Sequence, residues 1–252
     1  MIAYYAIEHR ELSDRFFRKY PVCTLPGFDQ LCGERSPILN FRFSIVNSTT
    51  NFEWHMEKSD QFEYPILDLI KNRKSTRAFS ALPIESDRIA SLFEATRWAP
   101  SSTNEQPWVF IYATREQSEF WNQLFSCLNE GNQIWAKDAP LLILSLARKN
   151  FSRFSGTNSY AMYDLGGAVS FLSLQAVELG LQVRQMAGFH KQKTIDLLNI
   201  PLHYEIGVFI AVGYPGDPQT LPEKLKLREL APRERFLQQE FVMNGPFPQP
   251  AG

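Results

Sequence analysis

A chain of 252 residues, 44% hydrophobic and 21% charged, is large enough for one substantial core and has the composition of a soluble globular protein. Its formal net charge of −1 gives no field that would draw nucleic acid, and no apolar run reaches the roughly 18 residues that span a bilayer, so neither a nucleic-acid nor a membrane partner is expected. The amino terminus lacks the layout of a signal peptide, and Cys23, Cys32 and Cys127 form no Cys-x-x-Cys pair or metal spacing, so a cytoplasmic address and no metal site are expected.

Residues 1–55 mix turn formers (PVCTLPGFD, LCGERSP, NSTTN) with scattered aromatics and hold no sustained period. They read as an N-terminal extension of unassigned role, either an accessory arm or the product of a misassigned start, since Met56 would itself serve as an initiator. Residues 56–252 are then the principal domain. In YPILDLIKNRK, Ile66, Leu69 and Ile70 form an amphipathic stripe behind Pro65, which predicts a helix. A second helix is predicted over ESDRIASLFEATRWA, capped by Ser86 or Asp87, with Ile89, Leu92, Phe93 and Thr96 on one face and a stop at Ala99 before Pro100. PWVFIYAT reads as a short buried strand, EQSEFWNQLFSCLNEG as a helix ended by Gly131, and APLLILSLA as the next strand.

The longest helix is predicted from Ser159 to Leu179, closed by Gly180 and carrying Gly166 and Gly167 in its middle. Mid-helix glycines cost roughly 1 kcal/mol each relative to Ala, so a close packing partner is expected there. LQVRQMAGF reads as a strand running into a turn, KQKTIDLLNI as a helix and EIGVFIAVGYPG as a final core strand. The tail, LPEKLKLRELAPRERFLQQEFV, reads as polar, basic and extended by its prolines. Helices alternate with strands without a strict βαβ repeat, which predicts an α+β three-layer arrangement.

No nucleophile elbow, Walker loop, zinc-binding helix or dinucleotide fingerprint occurs, and the four histidines are scattered. Reactive atoms are therefore expected on a bound cofactor rather than on a side chain. In NRKSTRAF, Arg73, Lys74 and Arg77 stand with Ser75 and Thr76 at a helix end, a group that suits either a phosphate or the helix dipole. Arg228, Arg233 and Arg235 form a second basic cluster in the tail. Between the two lie APSSTNEQP and QMAGF, rich in neutral donors and exposed backbone. Phosphate at one end and a flat, heteroatom-edged ring at the other would use all four, which is the shape of a flavin mononucleotide.

At these blocks the chain resembles the nitroreductase family of FMN-dependent oxidoreductases. The Arg-x-Ser-x-Arg of RKSTRAF, the APSSTNEQPWVF block, the MAGF turn and the LPEKLKLRELAPRER tail fall in the family's order, over roughly residues 64 to 241. The resemblance implies a central, mainly antiparallel sheet flanked by helices, an intertwined homodimer, and FMN sites at the dimer interface. It also implies ping-pong hydride transfer from NADH or NADPH through the flavin to a small acceptor such as a nitroaromatic or quinone. Other branches of the family perform reductive dehalogenation or flavin breakdown, and a flavin-binding protein without turnover is the alternative from another class.

Carried over by position, the resemblance implies that Arg73 and Ser75 hold the phosphate with Arg233 and Arg235, that Lys74 contacts the flavin, and that Arg77 sits near its pyrimidine edge. Pro100, Ser101, Ser102 and Asn104 are expected to line the ring from the other subunit, and Asn132 to hydrogen-bond its pyrimidine edge. Ala187 and Gly188 occupy the turn whose backbone N–H points at N5. Many family members have Glu where this chain has Ala187, a change that keeps the backbone donor and loses a carboxylate.

Overall fold

Four antiparallel strands organise residues 62–247, the part of the chain that the computed structural model describes; all lie within the unit Met56–Gly252, and the expected extension at 1–55 lies outside the described residues. The strands are β1 (Trp108–Thr114), β2 (Leu141–Arg148), β3 (Gln182–Met186) and β4 (Tyr204–Gly213), in the order β1-β2-β4-β3. Central β2 and β4 are covered on both faces, which is why LLILSLA reads as an unbroken apolar run. Leu142, Leu144 and Leu146 point into one core with Trp121, Trp135 and Phe209, while Leu141, Ile143 and Ala147 point into the other with Leu92, Leu172 and Ile210.

The register of β2 on β4 shifts between Leu144 and Leu146. Ser145 closes the gap: its hydroxyl donates to the Val208 carbonyl at 2.8 Å and accepts the Val208 N–H at 2.9 Å. Backbone groups that a bulge would leave open are thereby satisfied. Gly207 lies alongside, where a Cβ would stand 2.7 Å from Leu165 Cδ2 and 2.8 Å from Ser145 Oγ.

Seven helices occur among the described residues: α1 (Asp68–Asn72), α2 (Ser86–Arg97), α3 (Ser118–Ser126), α4 (Glu130–Ala136), α5 (Ala161–Glu178), α6 (Lys191–Leu198) and α7 (Glu223–Leu230). Ile89 and Leu92 of α2 join Leu165, Val169 and Leu172 of α5 over one face of the sheet, whereas Trp121 of α3, Trp135 of α4 and Ile195 of α6 cover the other. The expected α+β arrangement of helices on both faces of an antiparallel sheet is thus observed.

Several elements differ from their sequence reading. The stripe of Ile66 and Ile70 stays 36% and 43% exposed, and its helix is only five residues long. Ser86 opens α2 without capping it, and Asp87 accepts instead from the Arg88 N–H at 2.9 Å. Strand β1 is an edge strand in which only Ala113 is buried. Gly131 sits in the first turn of α4 rather than ending the helix before it, because the Asn129 side chain accepts the Asn132 N–H at 3.0 Å and starts a new helix. The tail is not extended throughout, since α7 forms between Pro222 and Pro232, each compatible with a helix boundary. A Cβ at Gly166 or Gly167 would meet no atom within 4 Å, so among the described residues these glycines have no packing partner in their own chain.

Candidate functional site

The segment after α1 runs beside edge strand β3. Gln182 fixes it, accepting the Lys74 N–H at 3.1 Å and donating to the Asn72 carbonyl at 3.4 Å. Arg184, two residues on and so on the same face of the strand, donates to the Ser75 carbonyl. From the tail, the Arg233 guanidinium donates to the carbonyls of Arg73 and Lys71 at 2.8 and 2.7 Å. The two basic clusters, about 160 positions apart in sequence, thereby share one cleft.

That cleft has a volume of about 630 Å³ and is lined, among the described residues, by seven cationic side chains, Arg73, Lys74, Arg77, Arg184, Arg228, Arg233 and Arg235, with Ser75 and a single carboxylate, Glu229. Arg73 reaches the Ser75 hydroxyl at 3.3 Å. Burial, then the neighbouring charges of Arg233 and Arg235, push the Arg73 guanidinium below its ordinary value. Burial and Arg77 bring Arg184 down to about 10 against the opposing pull of Glu229, and Arg184 also lies 5.3 Å from the centre of the Trp135 ring. Cations so crowded repel one another, and an anion entering the cleft relieves the repulsion. A phosphate monoester, at about −1.5 to −2 charge, matches the donor set in sign and in its preference for guanidinium forks and hydroxyls.

Ala187 and Gly188 follow β3 directly. The Gly188 carbonyl accepts from the Asn132 carboxamide at 2.9 Å and from the Asn129 N–H at 3.1 Å. A Cβ at Gly188 would run into Asn129 Nδ2 and lie 2.8 Å from Asn132 Nδ2, so glycine allows this close approach and a side chain there would have to displace both amides. Asn132 and Gly188 are therefore brought together, at the end of the strand that carries Arg184.

Pro100, Ser101, Ser102 and Asn104 lie elsewhere. They precede β1, the opposite edge of the sheet from β3, three strand spacings or about 14 Å away across the hydrogen-bonding direction. Their turn is held tightly: Asp164 accepts the Ser102 N–H at 3.1 Å and the Ser101 hydroxyl accepts the Gln106 N–H at 2.9 Å. Thr103, Asn104 and Gln106 adopt left-handed backbone, with φ of 52°, 56° and 50°. Glu105 between them has a fully buried side chain that accepts from Arg148 and from the Ser152 N–H, both at 2.7 Å.

Sequence reasoning missed two groups of the cleft. Arg184 was hidden inside a strand pattern, although its place two residues after Gln182 puts both on one face. Glu229 was hidden in a charge run as one acid among many bases. Among the described residues no cluster of metal-ligating side chains occurs, and no helix is long and apolar enough to cross a membrane.

The profile of the Nitroreductase family matches residues 70–214, more than half of the chain. A crystal structure described as an oxidoreductase containing FMN is 33% identical, superimposes with a TM-score of 0.72, and covers 77% of this chain and 99% of its own. Iodotyrosine deiodinase of Thermotoga neapolitana is 29% identical over 176 residues, 61% of this chain and 90% of its own. FMN reductase [NAD(P)H] of Bacillus subtilis is 22% identical over 193 residues, 69% of this chain and 76% of its own. The matched span holds the sheet, the Arg73–Arg77 segment and the Gly188 turn, and the chain belongs to the nitroreductase family.

Proposed function

We propose that this protein is an FMN-dependent oxidoreductase that takes hydride from NADH or NADPH and passes it to a small acceptor of the nitroaromatic or quinone type in a ping-pong cycle. The observation that carries the reading is the cleft of crowded cations beside β3, whose donors suit the phosphate of a flavin mononucleotide. Bound there, FMN would supply the two-electron chemistry for which the chain has no side chain of its own.

The chain's contribution is binding and orientation. Arg73 and Ser75, supported by Arg233 and Arg235, hold the phosphate; Lys74 contacts the flavin; Arg77 places positive charge near the pyrimidine edge. Ala187 and Gly188 offer backbone to the reactive edge, and Asn132 holds the Gly188 turn in place through its carbonyl. Pro100, Ser101, Ser102 and Asn104 stand at the opposite edge of the sheet from this cleft, which supports their coming from the second subunit of a homodimer. The outer face of α5 supports the same assembly. Tyr160 just before it, with Tyr163, Gly167 and Phe171, makes one helical stripe in which the tyrosines are 59% and 82% exposed.

The iodotyrosine deiodinase relative gives a second reading, reductive dehalogenation by the same flavin. An absorption spectrum of the purified protein tests both. Flavin bands that NADPH or NADH bleaches without oxygen, and that nitro or quinone acceptors restore over many turnovers, are the expected result. Recovery with halogenated acceptors alone would transfer the assignment to dehalogenation. Bleaching without turnover would make the protein a flavin store, and a colourless protein after incubation with FMN would remove flavin altogether.

A further inference from the structure

Among the described residues Glu229 is the one carboxylate in a cleft of seven cations, and it is not a bystander. One oxygen accepts the Thr76 hydroxyl, and the other accepts the Arg77 N–H at 2.9 Å and lies 3.7 Å from the Arg77 guanidinium. Both charged side chains are largely buried, Arg77 at 15% and Glu229 at 10% exposure, so their interaction is poorly screened. Glu229 belongs to α7 and Arg77 to the segment after α1, so the contact ties the tail to the loop that must present Arg77 to a ligand.

Resting on the flavin reading above, we infer that Glu229 is a positioning residue that holds Arg77 in place and offsets part of its charge, thereby setting how strongly the site favours the reduced, more negative flavin over the oxidised one. A carboxylate meant only to pin the loop would be satisfied by the bonds from the Thr76 hydroxyl and the Arg77 N–H. The added approach of the guanidinium makes its charge part of the electrostatics of the cleft. Arg184, pushed down by burial and by Arg77 and supported by Glu229, senses the same balance.

The test is Glu229→Gln, which keeps the side chain's volume and a carbonyl acceptor while removing its charge. FMN affinity is measured for oxidised and reduced flavin, and the midpoint potential is read spectroscopically, in wild type, Glu229→Gln, Arg77→Gln and the double variant. In Glu229→Gln the ratio of reduced to oxidised affinity is expected to rise about tenfold, or about 30 mV upward for a two-electron couple. In the Arg77→Gln background the same change is expected to shift the potential by less than a third as much, because the charge through which it acts is gone. An unchanged potential with weakened FMN binding would leave Glu229 a purely structural pin and overturn the inference, as would an equal shift with and without Arg77. Glu229→Asp, which keeps the charge and loses one methylene of reach, supplies a second reading should Glu229→Gln fail to fold. Its potential is expected near wild type, and a tenfold change in the affinity ratio there would overturn the charge argument. Failure of the wild-type protein to bind FMN overturns the flavin reading itself, and this inference with it.

Discussion

Arg73 and Arg77 stand four positions apart, yet the structure gives them different neighbours, and different roles are expected of them. Arg73 is surrounded by cations and a hydroxyl, and its suppressed basicity records burial together with repulsion that a phosphate would relieve. Arg73→Ala is expected to weaken FMN binding by roughly 1.5 to 3 kcal/mol, the worth of a charge-assisted hydrogen bond, in a flavin-fluorescence titration. Undiminished affinity would place the phosphate elsewhere. Arg77 is already paired with Glu229, so its effect should fall on the charge balance of the ring more than on retention. Arg77→Gln is expected to lower the flavin midpoint potential while changing affinity less than Arg73→Ala does, and a spectroscopic redox titration reads the difference. Arg-x-Ser-x-Arg made these residues visible in sequence. Arg184 and Glu229 were not visible, because a lone cation in a strand and a lone acid in a basic run acquire meaning only when folding brings them against Ser75 and Thr76, 109 and 153 positions away in sequence.

Among the elements, β2, β4 and the buried face of α2 were legible because burial on one or both sides leaves a run or a period in the chain. The edge position of β1 was not, since its aromatic and β-branched residues suit a covered strand and an exposed one equally. Asn129 is hard to read as a cap in sequence, because Gly131 offers a simpler reason for a helix to end. The turn before β1 carries three left-handed non-glycine residues, each costing on the order of 1 to 3 kcal/mol, and its bonds to Asp164, Arg148 and Ser152 hold it there. Hydrogen bonds from Ser152, helped by Arg148, keep the Glu105 carboxyl below its ordinary value of 4.5 although burial opposes them. A depressed folded value means that this stabilisation is present above pH 4.5 and is lost as pH falls toward and through the folded value. Glu105→Gln is therefore expected to melt below wild type at pH 7 and to lose less on acidification, so that the two melting temperatures converge as pH falls below 4.5 and through the folded value; parallel curves would show that Glu105 is not the titrating group. Gly207→Ala tests the bulge separately. Overpacking against Leu165 and Ser145 is expected to cost about 1 to 3 kcal/mol in a denaturant titration, and a neutral result would mean that α5 can retreat from β4.

At the scale of the whole molecule the central question is why α5 carries two glycines where, among the described residues, a Cβ would meet open space. Among the described residues a Cβ at Gly166 or Gly167 would meet no atom within 4 Å, so packing among them does not account for the two glycines. Tyr160, Tyr163 and Phe171 border the same face, and an exposed aromatic stripe with a smooth centre suits the close approach of a second helix. Two-fold pairing through such a face is self-complementary, and in the proposed homodimer it would carry the Pro100–Asn104 turn of one subunit toward the cleft of its partner. Gly167→Glu separates this from a merely tolerated pair of glycines. In a lone subunit the substitution meets open space and improves helix propensity by up to about 1 kcal/mol, so folding should be unharmed. In a dimer it buries a carboxylate at the contact. Sedimentation is expected to show a folded monomer for Gly167→Glu against a dimer for wild type, with FMN affinity falling at least tenfold because each cleft has lost the turn supplied across the interface. A variant that stays dimeric would move the contact away from α5. One that becomes monomeric yet keeps its flavin would place the complete site within a single chain and leave the Pro100–Asn104 turn outside it.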